Sequence, residues 1–203
     1  MSSFRRRQQS DDIRVVVGID FGTTNSGFAY THKISQEIET NTQWPGKEGS
    51  FKTDTVLLYN SDCTEVLNWG APALVHLGSS LPPQHHTIER FKLFLDDNAS
   101  DKPYLPPNLD YRKAISDYLN KMKEVIKETL DKRWPGLKLS QVQFVLCVPA
   151  EWGPHTKAIM RDCAYRAGLL DESIESHLEF TTGPEAAVIH CLSVIKEHKL
   201  KEG

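Results

Sequence analysis

At 203 residues, with 39% hydrophobic and 25% charged side chains, the chain has the composition of a soluble globular domain able to bury a sizeable core. A formal charge of −3 supplies no basic field for nucleic acid, and Arg5-Arg6-Arg7 is too short for a targeting or nucleic-acid patch. No apolar segment follows those arginines, so neither a signal peptide nor a membrane span is expected.

Residues 1–13 are expected to form a disordered tail. Residues 15–19 are a β-branched run that reads as a strand buried on both faces, ending at Asp20. The stretch Gly18-Ile19-Asp20-Phe21-Gly22-Thr23-Thr24-Asn25-Ser26 then joins that strand to a hairpin turn suited to phosphate. Gly22 permits a tight turn, and the N–H groups of Gly22, Thr23, Thr24 and Asn25 can converge on an anion, with two threonine hydroxyls as further donors. A carboxylate repels phosphate, so Asp20 beside the turn is expected to hold Mg²⁺ through its waters. The alternative is a plain hairpin whose Gly, Thr and Asn only satisfy turn chemistry.

Residues 26–31 continue as a second strand and 38–43 as a third, before Trp44-Pro45-Gly46 turns the chain. From about 46 to 108, short apolar runs at 55–59 and 66–69 alternate with Gly, Pro and Ser clusters, which reads as an inserted α+β subdomain. Its helical candidates are 71–77 and 88–95. A long helix over 109–133 presents Ile115, Leu119, Met122, Ile126 and Leu130 on one face and stops at Trp134-Pro135-Gly136. Residues 142–148 form another buried strand, stopped at Pro149; Pro154 opens a helix that Gly168 terminates. A short strand over 177–181 and a last helix from Pro184 to about Lys199 complete the order.

Four cysteines, Cys63, Cys147, Cys163 and Cys191, are widely spaced with no Cys-x-x-Cys pair, as expected for free thiols in a reducing, cytoplasmic setting. None of the eight histidines stands in metal-ligand register with them.

Three sequential strands can pair through hairpins, whereas strands separated by helices join by right-handed crossovers and lie parallel. A mixed five-stranded sheet with helices on both faces follows, the ribonuclease-H-like half of an actin-like ATPase. At this point the residues resemble the nucleotide-binding domain of the 70-kDa heat-shock chaperone family, and more closely its divergent members. Residues 18–26 look like the family's first phosphate loop. Val145-Leu146-Cys147-Val148-Pro149-Ala150, followed by 158–169, is similar to the strand and helix of its interdomain proline switch, and Pro184-Glu185-Ala186-Ala187 looks like the start of its next helix. The similarity runs in order over about 14–196.

The resemblance implies that Asp20 holds Mg²⁺ through water and that Gly22, Thr23, Thr24 and Asn25 contact the β- and γ-phosphates of ATP or ADP. Lys92 takes the place of the family's catalytic lysine, where an ammonium stabilises charge on the transferring phosphoryl. Pro149 and Lys157 correspond to the switch proline and its basic partner; the family commonly has Arg at the second position, and Lys lacks its planar fork. Gly183 stands where the family has Glu before the proline of the last motif, with Glu185 two positions on.

The family's second phosphate loop and adenosine pocket have no counterpart in these residues, so 14–203 is expected to be the N-terminal half of the nucleotide-binding domain, a truncated form. The function implied is an ATP-binding fragment that hydrolyses ATP inefficiently on its own and binds it weakly, with client or co-chaperone proteins as further partners and no nucleic acid or membrane. Two alternatives stand beside it. One is a non-catalytic interaction scaffold that keeps the fold; the other is a sugar-kinase relative sharing the Asp-x-Gly-Thr turn, against which the proline-strand segment argues.

Overall fold

The computed structural model describes residues 13–35, 37–75, 85–96, 98–170 and 177–183. Strand β1 (Val15–Asp20) pairs antiparallel with β2 (Asn25–His32), which pairs in turn with β3 (Ile38–Thr40) and, at its start, with the two-residue β4 (Thr53–Asp54). On its other edge β1 runs parallel to β8 (Val142–Val148), and β8 runs parallel to β9 (Leu178–Thr182). The order β3-β2-β1-β8-β9 is the expected mixed five-stranded path, with β4 added on β2.

The third strand ends at Thr40 rather than 43 because Asn41 starts a turn, its Oδ1 accepting from the Gln43 amide at 3.3 Å. Within the inserted segment, β5 (Val56–Tyr59) is flanked by β6 (Val66–Trp69) and β7 (His86–Glu89) in a separate three-stranded sheet. A short helix α1 (Ala71–Val75) matches the first residues of the candidate at 71–77; 76 and 77 lie outside the described residues.

The other helical candidate, 88–95, is corrected. Ile88 belongs to β7 and pairs with Leu57, and Arg90 adopts a left-handed backbone at φ 54°, which breaks the chain before a 3-10 helix over Phe91–Leu95. Pairing with β5 outweighs the helical pattern of so short a window.

Helix α2 (Tyr111–Arg133) starts at Asp110, whose carboxylate accepts from the Arg112 amide at 2.8 Å, and ends with Lys132 and Arg133 in its last turn, favourable to the helix dipole. Its stripe Ile115, Leu119, Met122, Ile126 and Leu130 is buried, each side chain stabilising by about 1.5–3 kcal/mol. Helix α3 (Pro154–Arg166) has Pro at its start and Gly168 at φ 71° just past its end. Asn120 and Lys123 of α2 both donate to the Ala167 carbonyl, at 3.0 and 2.8 Å, locking the two helices together.

Both helices contribute to one core with Val15, Val17, Ile19, Phe144 and Leu146. The expectation that the first strand is buried on both faces is therefore corrected: Gly18 and Asp20 are exposed among the described residues, and the burial along β1 alternates. The last helix expected from Pro184, and Cys191 on it, lie outside the described residues, as does nearly all of the tail expected over 1–13.

Leu57, Tyr59, Ile88 and Phe91 of the inserted segment join that same core, while Val56, Leu58 and Ala73 make a small one of their own. Tyr59 donates to the Asp117 carboxylate at 2.6 Å, which the Lys113 ammonium also meets at 2.5 Å. The insertion is thereby fixed on α2, and with it Lys92.

Candidate phosphate site

Alternation along β1 puts Asp20 on the exposed face at the strand's end, and the next residue, Phe21, turns fully inward to lie among the rings of Phe91 and Tyr118. Phe21 anchors the loop that follows. A Cβ on Gly22 would stand 2.1 Å from the Asn25 carbonyl oxygen, so the turn is as tight as glycine alone allows. The Gly22 amide donates to Ser26 Oγ at 3.1 Å, and that hydroxyl shares a 2.8 Å hydrogen bond with Thr55 Oγ1 in the buried layer beneath. From the far side the Thr55 amide donates to the Thr24 carbonyl at 2.9 Å, and β4 pairs Asp54 with Asn25 and Thr53 with Ser26.

The loop is held at both ends, and its donors are unequal. Gly22's amide is consumed by Ser26, which departs from a cradle of four successive amides. No described group accepts from the amides of Thr23 and Thr24. The Asn25 side-chain amide donates to Thr24 Oγ1 at 3.4 Å.

Lys92 comes to this loop from the inserted segment. Its ammonium donates to the Phe21 carbonyl at 2.5 Å and lies 5.3 Å from the ring centroids of both Phe21 and Trp152. Burial pulls its pKa below the usual lysine value, and the nearby charges of Asp20, Cys147 and Glu151 oppose that shift. Asp20, the Gly22–Asn25 turn and Lys92, separated by more than seventy positions, thus form one cluster.

Two neighbours carried no signal in the sequence. Lys52 Nζ sits 2.5 Å from Asp20 Oδ2, both side chains half exposed. It precedes a strand of two residues, too short for any periodicity to reveal. Cys147 lies directly beside Asp20 across the β1–β8 pair; burial raises its thiol pKa most, Asp20 adds to the shift, and Lys92 and Lys52 oppose it.

Pro149 closes β8, and its carbonyl accepts from the Trp152 amide at 3.2 Å, so the ring over Lys92 is set by the turn at the proline. Lys157, a turn into α3, makes no hydrogen bond or ion pair with any described side chain, and nothing joins it to Pro149. Gly183 is exposed, with no described atom within 4 Å of where a Cβ would stand, and Glu185 lies outside the described residues.

A divalent ion on Asp20 is the implied partner of such a loop. The carboxylate is already met by an ammonium, and among the described residues no three His, Cys, Asp or Glu side chains converge to hold a metal. A hydrated dication at the same carboxylate would repel that ammonium, so the arrangement as it stands does not fit the ion. Among the described residues no helix is long and apolar enough to cross a membrane.

Comparison with known proteins agrees with this layout. Heat shock 70 kDa protein 12A of Mus musculus is 33% identical over 190 residues, 87% of this chain. Heat shock 70 kDa protein 12B of Homo sapiens is 30% identical over 203 residues, 92% of the chain. The chain belongs to the 70-kDa heat-shock family. It spans 28% of the length of the 12A protein and 29% of the 12B protein. Among solved structures, MreB5 of Spiroplasma citri bound to ADP superposes with a TM-score of 0.50 at 12% identity, over 84% of this chain and 39% of that one. The heat-shock homology and this likeness of backbone place the mixed sheet in the actin-like ATPase fold. No family model matches the chain.

Proposed function

We propose that the chain is a nucleotide-binding half-site that takes ATP or ADP by its terminal phosphates on the turn Gly22, Thr23, Thr24 and Asn25. The observation that carries the reading is the pair of loop amides at Thr23 and Thr24 with no described acceptor, in a turn clamped on both sides, beside an ammonium fixed to the loop's own backbone. Backbone donors held in place bind phosphate without reorganising.

Lys92 would act on charge developing at the transferring phosphoryl if the whole protein hydrolyses ATP. Its partly desolvated position strengthens that interaction. The Trp152 amide on the Pro149 carbonyl, with the Trp152 ring at Lys92, supports a relay from Lys92 to Pro149; Lys157 has no described contact that supports its part in the switch. Membership of the heat-shock family supports a client or co-chaperone partner, and ADP on the structural neighbour supports the nucleotide. The free thiols of Cys63, Cys147 and Cys163 support a reducing compartment.

Phosphate contacts from this loop alone give a weak affinity for ATP, of order millimolar. ³¹P spectra of ATP with the chain test the reading: the γ and β resonances should broaden and Gly22→Ala should remove the effect. Unchanged line widths with the intact chain would overturn it.

A further inference from the structure

We propose that the Lys52 ammonium takes the place of the divalent cation at Asp20, so that this site binds nucleotide phosphate without a metal. The inference rests on the phosphate-site reading above and goes beyond it by naming the counter-charge. Three observations carry it.

The first is the ion pair itself, Lys52 Nζ to Asp20 Oδ2 at 2.5 Å. A pair between half-exposed groups is worth little to stability, so a structural role alone explains it poorly. The second is a track built for this side chain. A Cβ on Gly27 would stand 2.7 Å from the Phe51 carbonyl oxygen and 3.2 Å from Lys52 Cγ, so the lysine stem reaches Asp20 across a position that only glycine leaves open. The third is register. Ser50 Oγ donates to the Lys52 carbonyl at 2.9 Å, and the residues that follow pair with Asn25 and Ser26 of the loop. The backbone that carries Lys52 is therefore tied to the phosphate turn at two points.

Lys52 and Lys92 then flank Asp20, and both act electrostatically on Cys147 beside it. Lys52 neutralises the Asp20 carboxylate beside the free amides of Thr23 and Thr24, so that Asp20 no longer repels a phosphate there. Lys52 thus supplies one of the two positive charges that a hydrated dication would bring to Asp20. An ammonium is a point charge with three rotatable donors, suited to a phosphate oxygen on one side and the Asp20 carboxylate on the other.

The test is an amide ¹H–¹⁵N titration of the full chain with ATP, run once with EDTA and once with MgCl₂, on the parent and on Lys52→Met. We expect the parent to bind with affinities within about threefold of each other in the two buffers, and Lys52→Met to weaken in EDTA by about tenfold or more, the scale of one charge-assisted hydrogen bond. Magnesium should restore most of that loss, because the vacated carboxylate can then take the ion. Titration with MgCl₂ alone supplies a readout free of nucleotide: the amides around Asp20 should stay still in the parent and shift in Lys52→Met. A parent that binds ATP about tenfold or more weaker in EDTA, or whose Asp20 region shifts with magnesium alone, overturns the proposal and leaves the phosphate site standing. Absence of any ATP response in either buffer overturns the phosphate site and this inference together.

Discussion

Lys92 Nζ donates to the Phe21 carbonyl at 2.5 Å, joining the inserted segment to the residue just before the phosphate turn. The contact costs the fold, because burial disfavours the charged amine. Lys92→Met should therefore raise the melting temperature by about 2–4 °C if about 1 kcal/mol is recovered in a domain of this size. The sign with pH follows. With its pKa lowered in the folded state, Lys92 makes the unfolded chain bind more protons between that lowered value and the ordinary 10.5. Parent stability thus rises relative to the variant as pH climbs through that window, and below it the gap between them is constant. A variant less stable than the parent in thermal melts at pH 7 would show that the Phe21 contact outweighs desolvation.

Gly22→Ala places a methyl group 2.1 Å from the Asn25 carbonyl oxygen, which is backbone and can yield only by opening the turn. The expected loss is about 1–3 kcal/mol in urea denaturation, with the Ser26 hydroxyl losing the Gly22 amide from which it accepts. An unchanged midpoint would mean that the loop relaxes freely and is not the rigid cradle described.

Tyr59→Phe removes the hydroxyl that meets Asp117 at 2.6 Å while leaving Lys113 on that carboxylate. Burial and the bond to Asp117 raise the tyrosine's pKa, so the phenol is protonated throughout the accessible range. We expect a loss of about 1 kcal/mol and, because the bond joins the insertion to α2, faster amide exchange across β5 and β7. Exchange that quickens evenly over the whole molecule would assign the bond to global stability alone.

Thiol reactivity should be ordered. Burial pushes Cys163 up to about 11, and its Sγ donates to the Arg112 carbonyl at 3.6 Å; Cys63 is also buried, whereas Cys147 is partly open. Among these three, alkylation of the native chain at pH 8 followed by peptide mapping should find Cys147 first. Earlier labelling of Cys163 would mean that α3 opens locally from α2.

The features legible in the sequence are those set by local chemistry repeated over several residues. The Val-rich run of β1, the stripe along α2 and the Pro154 and Gly168 boundaries of α3 are of this kind. Gly22 with Asp20 marked the turn because no other residue types serve both the backbone and the charge there. Where a long-range pairing decides, the pattern fails: Ile88 follows β5 rather than the helix its neighbours suggest, and Lys52 finds Asp20 only because β4 docks on β2. The Gly22 amide, a phosphate donor by sequence, is taken instead by the Ser26 hydroxyl four residues on, a contact that no local pattern encodes.

If Thr23 and Thr24 present their amides to a phosphate, the ¹H–¹⁵N shifts of those two amides will report it as ATP is raised to about 10 mM, well above the weak affinity expected of one loop. We expect saturable shifts at Thr23 and Thr24 with no change at Leu137 and Leu139, which lie near Val142 at the opposite end of β8. Loop amides that stay still while others move, or equal drift at both ends of the sheet, would contradict that expectation.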